Sequence, residues 1–286
     1  MIPAGFDYAR AASLADALKA LAARDGTKLI AGGQTLLPLL RLRLAQPARL
    51  MDIGGLADLR GITHRDGAVR IGAATTYREL LESRALRDSH PIVAEATAGI
   101  GDVQVRNLGT IGGAVAHADP VADMPAVLLA LGATMKLASK DGEREVAAKE
   151  FFQGPFTTAM KEDELLVAIH LPPLPSGTGT AYVSFEQAAS GYALVGAAAA
   201  AAREKGKVKH AALAFTGLSA DGSFLSEAAA KLRGTSGGAD DIEKVAAAAV
   251  KGVEANHDIH ASAGYRIHLG RVAARRALTL ALERGK

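Results

Sequence analysis

Residues 99–113 carry five glycines in fifteen positions, interleaved with Asp102, Gln104, Arg106, Asn107 and Thr110. Glycine loses more conformational freedom on folding than any other residue, so a segment this rich in it must recover that cost through close backbone approach. Hydroxyl, amide and guanidinium donors between the glycines suit a loop that wraps a flexible anion with backbone N–H groups. A long, well-packed turn fits the same residues. The segment reads as Gly-rich and irregular through residue 120.

A second glycine turn lies seventy residues upstream. Leu29-Ile30-Ala31-Gly32-Gly33-Gln34-Thr35-Leu36-Leu37 runs from a short strand through paired glycines into a helix spanning about 34–44. Unpaired N–H groups at such a turn suit a pyrophosphate, with Thr35 adding a hydroxyl donor. An ordinary strand–helix turn with Thr35 as a cap is equally compatible. The third segment is Asp119-Pro-Val-Ala-Asp123-Met-Pro-Ala126. Asp119 followed by Pro120 reads as an N-cap and first position of a helix reaching Leu131. Asp123, four residues on, is not needed for capping. Its carboxylate suits acceptance from ribose hydroxyls, as acidic residues do at other nucleotide sites.

The rest of the chain alternates short helices and strands. Ala11–Ala23 has Leu14, Leu18 and Leu21 at helical spacing after Ser13 as a cap. Short strands are expected at 28–31 and 50–53. Asp66-Gly67 and Asp141-Gly142 each sit between apolar flanks and predict hairpins over 61–71 and 133–146. Helices are expected at 76–86 and 91–98, and a strand at 165–171. Leu171-Pro-Pro-Leu-Pro-Ser-Gly-Thr-Gly179 then changes composition sharply and marks a domain boundary, dividing 1–175 from 176–286. Beyond it strands are predicted at 180–187, 192–203 and 208–217, with the alanine run 197–202 in the middle one. Helices follow at 223–232, 240–253 and 266–283.

Composition excludes several functions. The chain of 286 residues has no Cys, so it holds no disulfide, thiolate zinc site, cysteine nucleophile or iron–sulfur cluster of its own. Lys and Arg exceed Asp and Glu by only three, and aromatics are 4%, which disfavours a nucleic-acid partner. Tyr192–Ala202, the longest apolar stretch, is about half the ~20 residues of a membrane span, and the N-terminus lacks the pattern of a secretory signal. A soluble, cytoplasmic protein is expected. His117, His257, His260 and His268 lack metal-ligand spacing, and the P-loop, Rossmann and nucleophile-elbow patterns are absent. No residue is assigned as a metal ligand or a catalytic acid or base.

Taken together, Ala31-Gly-Gly-Gln-Thr-Leu-Leu-Pro38, Ile100-Gly-Asp-Val-Gln-Val-Arg-Asn-Leu-Gly-Thr-Ile-Gly-Gly113 and Asp119-Pro-x-x-Asp-x-Pro125 resemble the flavin motifs of one family. It is the FAD-binding medium subunit of the carbon monoxide dehydrogenase and xanthine dehydrogenase group of molybdenum hydroxylases. The resemblance spans essentially the whole chain. It implies an α+β fold: a two-lobed FAD-binding domain of the vanillyl-alcohol oxidase and UDP-N-acetylenolpyruvylglucosamine reductase type, with lobes at about 1–55 and 56–175. A C-terminal domain with a small antiparallel sheet and helices follows. It further implies that Ala31, Gly32, Gly33, Gln34, Thr35 and Leu36, with Ile100, Gly101, Asn107, Thr110, Ile111, Gly112 and Gly113, surround FAD. Their backbone donors at 31–35 and 110–113 would take the pyrophosphate. Asp119 and Asp123 belong to the same set, Asp123 at the adenosine ribose. Leu166 would pack near the cofactor and Tyr192 beside the isoalloxazine. Ser184 stands where many relatives have Lys. The implied partners are a large molybdopterin-binding subunit and a small 2Fe–2S subunit, assembled as a dimer of heterotrimers, with an external electron acceptor. A stand-alone flavin reductase or oxidase of the same fold, and a non-enzymatic nucleotide-binding assembly protein, are the alternatives.

Overall fold

The computed structural model describes residues 2–285. Its first sheet is small and parallel. Strands β1 (Asp7–Arg10), β2 (Thr27–Ile30) and β3 (Arg49–Asp52) order as β1-β3-β2, joined by helices α1 (Leu14–Ala22) and α2 (Leu36–Arg41). Ser13 caps α1 as expected, its hydroxyl accepting from Asp16 N. The four-residue β1 was not anticipated. Its residues are largely exposed and carry no apolar alternation.

Chain reversal at Asp66-Gly67, both in the left-handed region (φ 51° and 79°), builds the hairpin of β4 (Ile62–Arg65) and β5 (Ala68–Gly72). The helix expected over 76–86 is instead two, α3 (Tyr77–Glu82) and α4 (Arg84–Ser89). Ser83 ends the first and caps the second by accepting from Leu86 N. Next come α5 (Pro91–Gly99), α6 (Val103–Leu108), α7 (Ile111–His117) and α8 (Asp123–Leu131). The segment read as irregular through 120 therefore holds two short helices. Asp102 caps α6 and Thr110 caps α7, each through its side-chain oxygen. Strands β6 (Thr134–Ser139) and β7 (Gly142–Ala147) precede one helical turn, α9 (Ala148–Phe151), and a ribbon of β8 (Phe152–Gly154) and β9 (Thr157–Thr158). Strand β10 (Leu165–Leu171) completes a five-stranded antiparallel sheet ordered β4-β5-β10-β6-β7.

The third sheet comprises β11 (Thr178–Glu186), β12 (Ala193–Glu204), β13 (Lys207–Ser219) and β14 (Gly222–Leu225), all antiparallel in that order. The alanine run is a strand, as predicted. Ala197, Ala199 and Ala201 face helices α10 (Ala239–Val250) and α11 (Ala263–Arg284), whereas Ala198 joins the core around α8. Only small side chains let both faces pack this closely. The helix expected at 223–232 is replaced by β14, which pairs Phe224 with Phe215, and a 3-10 segment over Glu227–Leu232.

All nine residues of α8 are buried. It lies between the middle part of the chain and the third sheet. Arg284 on α11 clamps Glu95 on α5 with two bonds of 2.9 and 3.0 Å and donates to Thr180 O at 2.8 Å. Among the described residues no helix is long and apolar enough to cross a membrane.

Candidate functional site

The two glycine turns meet. Gly32, between β2 and α2, packs against the Leu108–Gly109 backbone that links α6 to α7. A Cβ on Gly32 would overlap the Leu108 carbonyl oxygen and lie 2.9 Å from Gly109 Cα. Beside this contact, at the carboxyl ends of all three parallel strands, a cavity of about 760 Å³ opens. Ala31, Gly32, Asn107 and Thr110 line it, with Arg10 and Arg60 as its cations.

Gly33 has φ +70°, a conformation that costs other residues about 1–2 kcal/mol. The turn leaves the N–H groups of Gly32, Gly33, Gln34, Thr35 and Leu36 without a protein acceptor among the described residues. Paired donation resumes only at Leu37, to Gly33 O at 3.0 Å. Thr35 stands at the N-cap position of α2, but its side chain makes no capping hydrogen bond. The Gln34 amide folds back onto Gly32 O at 3.2 Å and braces the turn. Successive unpaired N–H groups of this kind form an anion-binding concavity.

The second turn donates less than its glycines suggested. Ile111 N and Gly112 N give their hydrogens to Thr75 O (3.1 Å) and Ala73 O (2.9 Å), and Gly113 N gives its own to Thr110 Oγ1 (3.2 Å). The first two amides fasten α7 to the turn after β5, and the third closes the cap of α7. Gly112 is small because Ala73 is against it: a Cβ there would come 2.7 Å from Ala73 Cα. The Thr110 N–H has no protein acceptor among the described residues. Ile100 and Gly101 form a short loop held by Arg106, whose Nη1 donates to both carbonyls at 2.9 Å.

Asp119 is not a helix cap. Its Oδ1 accepts from Val121 N at 3.1 Å, and α8 begins only at Asp123, after Ala122 in extended backbone. The reason is tertiary. From β13, Gly217 N donates to Pro120 O at 2.9 Å and the Thr216 hydroxyl to Ala122 O at 2.7 Å, holding 119–122 out of the helix.

Asp123 is 8% exposed. Tyr182 donates its phenolic hydrogen to Oδ1, and among the described residues no donor reaches Oδ2. Burial pushes this carboxyl up to about 6, against the Tyr182 hydrogen bond, which favours the anion; Glu186 adds to the rise. Tyr77 and Tyr182 are both buried, and burial raises their phenols with Asp123 adding its charge. Tyr192, on the loop before β12, is half exposed; burial first, then Asp119 and Asp123, raise its phenol. Asp119, Asp123 and Tyr192 are thus brought together. Leu166 is not in this group: it is 3% exposed, on β10 opposite Leu137 in the main core.

Tyr77, Tyr182, Glu186 and Thr216 escaped sequence reasoning. Tyr182 left one trace. It is an aromatic with a polar tip inside an apolar strand, and such a residue needs a buried partner. Ser184, two residues on, has a buried hydroxyl without a hydrogen-bond partner. Among the described residues no three His, Asp or Glu side chains group as a metal-ligand set.

Comparison with known proteins matches residues 4–174 to the model of an FAD binding domain in molybdopterin dehydrogenase. Residues 180–281 match a CO dehydrogenase flavoprotein C-terminal domain. The chain is 38% identical to the 6-hydroxypseudooxynicotine dehydrogenase complex subunit alpha of Paenarthrobacter nicotinovorans, over 100% of this chain and 97% of that one. It is 37% identical to the carbon monoxide dehydrogenase medium chain of Afipia carboxidovorans, over the full length of both. Among solved structures, a chain of carbon monoxide dehydrogenase from Hydrogenophaga pseudoflava superposes with a TM-score of 0.96 at 36% identity, covering 100% of each.

Proposed function

From the premise that this chain belongs to the family of FAD-binding subunits of molybdopterin dehydrogenases, we propose that it is the electron-transfer flavoprotein subunit of a molybdenum hydroxylase. Its FAD-binding part is read as the two-lobed fold of the vanillyl-alcohol oxidase type, and its limits as 1–175 and 176–286. Substrate would be oxidised at a molybdenum cofactor in a large partner subunit. A small partner subunit would carry the two 2Fe–2S clusters, and the whole would assemble in the cytoplasm as a dimer of heterotrimers. The absence of Cys from this chain agrees, since the clusters then need another chain to hold them.

The observation that carries the reading is the row of N–H groups at Gly32–Leu36 without protein acceptors, packed against Leu108–Gly109. Five donors in one turn match a diphosphate, and the Thr110 N–H adds to them. Oδ2 of Asp123 is an acceptor without a donor, as a ribose hydroxyl requires. Tyr192, half exposed beside these acids, offers an aromatic face to the isoalloxazine. Bound FAD supplies a carrier able to pass electrons singly or in pairs, between one-electron clusters and an acceptor such as a quinone or dioxygen. The side chains bind and orient it; none is assigned a proton-transfer role toward substrate.

Purification from the native host tests this. The reading predicts a yellow complex with two further chains, molybdenum and iron. A yellow chain that is active alone would point to a self-contained reductase or oxidase, and a colourless chain unable to take up FAD would contradict the flavin assignment.

A further inference from the structure

Two side chains of the third sheet converge on Asp123 and the segment before it. Tyr182 of β11 crosses to donate to Asp123 Oδ1. Gly196, beside it on β12, makes this possible: a Cβ there would overlap the Tyr182 hydroxyl and come 2.9 Å from Thr216 Cγ2. On β13, Thr216 Oγ1 contacts Pro120 O (3.0 Å) and Ala122 O (2.7 Å), while Ser223 donates to Thr216 Oγ1 at 3.0 Å. Gly217 N completes the set with its bond to Pro120 O. Arg266, 1% exposed, holds this strand end from behind by donating to Gly217 O at 3.0 Å. The backbone of 119–122 and the carboxylate of 123 are thus fixed by residues far along the chain.

We propose that Tyr182 and Thr216 are positioning residues, presenting the Asp123 carboxylate to the adenosine part of FAD from the C-terminal sheet. This rests on the reading of Asp123 given above. Among the described residues, the groups facing that carboxylate are Tyr182 and Glu186 on β11, Tyr77 on α3 and Tyr192 on the loop before β12. All are acids or phenols. Tyr182 alone gives Asp123 a side-chain hydrogen bond among the described residues. It therefore both aims the carboxylate and favours its anionic, accepting form. Without it, the proton stays on Asp123 to higher pH, and the ribose side loses its acceptor.

The test is an FAD titration of the full chain by flavin fluorescence between about pH 5 and 8, where a buried carboxyl of this kind titrates. The variants are Tyr182→Phe, Thr216→Val, Thr216→Ser and Asp123→Asn. Tyr182→Phe is expected to weaken FAD about tenfold at neutral pH and to move the acid-side loss of affinity to higher pH. Thr216→Val should weaken it less, and Thr216→Ser, which keeps the hydroxyl, should restore it. Should Tyr182→Phe fail to fold, the threonine pair carries the test alone. If Asp123→Asn weakens FAD but Tyr182→Phe and Thr216→Val leave both affinity and pH profile unchanged, the positioning role is overturned while Asp123 keeps its place. If Asp123→Asn binds FAD like the parent chain, the assignment of Asp123 fails and the positioning role with it.

Discussion

Replacing Gly32 with Ala tests the contact between the two turns. The added methyl has no rotamer and meets backbone on every near side: the Leu108 carbonyl and Gly109 Cα. The turns must separate to admit it. Overpacking of this kind costs about 1–3 kcal/mol, which for a chain of this size lowers Tm by about 2–12 °C. The same separation moves the Gly32–Leu36 amides relative to Thr110, so FAD affinity should fall at least about tenfold, or 1.4 kcal/mol. Gly5→Ala is the matched control, since a Cβ there meets nothing within 4 Å, the backbone is not left-handed and the residue lies outside the cavity lining. Differential scanning calorimetry of the FAD-free chain and a fluorescence titration with FAD give both numbers. A Gly32→Ala chain that matches Gly5→Ala in Tm and in Kd would refute the convergence of the turns.

Three other perturbations have signs fixed by the structure. The Asp123 carboxyl, raised to about 6, favours the folded FAD-free chain most below the unfolded carboxylate range; that stability, about 3 kcal/mol, is lost as pH rises from about 4 through 6. Asp123→Asn should flatten this slope in urea unfolding midpoints, and an equal slope in the variant would place the titration elsewhere. Asp258→Ala removes the carboxylate that Arg266 reaches at 2.6 Å and leaves a buried guanidinium with carbonyls alone. The cost should be about 2–3 kcal/mol, below that of a fully buried pair because Asp258 faces water on one side. Adding Arg266→Met should recover part of it, and strict additivity of the two would contradict the coupling. Gly264→Ala, in the first turn of α11 with open space around its Cβ, should raise stability by about 0.5–1 kcal/mol. A fall in Tm would mean that the space is occupied.

The parts legible in the sequence are those decided within a few residues. Asp66-Gly67 and Asp141-Gly142 dictate turns whatever surrounds them, and they fixed the hairpins at β4–β5 and β6–β7. The caps Asp102 and Thr110 were equally local, but five glycines masked them. What stayed hidden depends on distant partners. Asp119-Pro120 has the chemistry of a helix start, yet Thr216 and Gly217, almost a hundred residues on, hold it extended. Residues 223–225 carry helical spacing but lie beside β13, and backbone pairing there wins. The glycines of 112 and 113 were read as donors to a ligand, whereas their N–H groups are spent on Ala73 and Thr110. Residue type shows where a backbone is bare; it does not show what that backbone already binds.

Amide hydrogen exchange of the full chain with and without FAD addresses the diphosphate cradle most directly. Lacking protein acceptors, the N–H groups of Gly32–Leu36 should exchange fast in the free chain and become protected by FAD, together with Thr110. Ile111 and Gly112, already bonded, should change little. Saturating FAD that leaves residues 32–36 exchanging as before, with new protection elsewhere, would contradict the account.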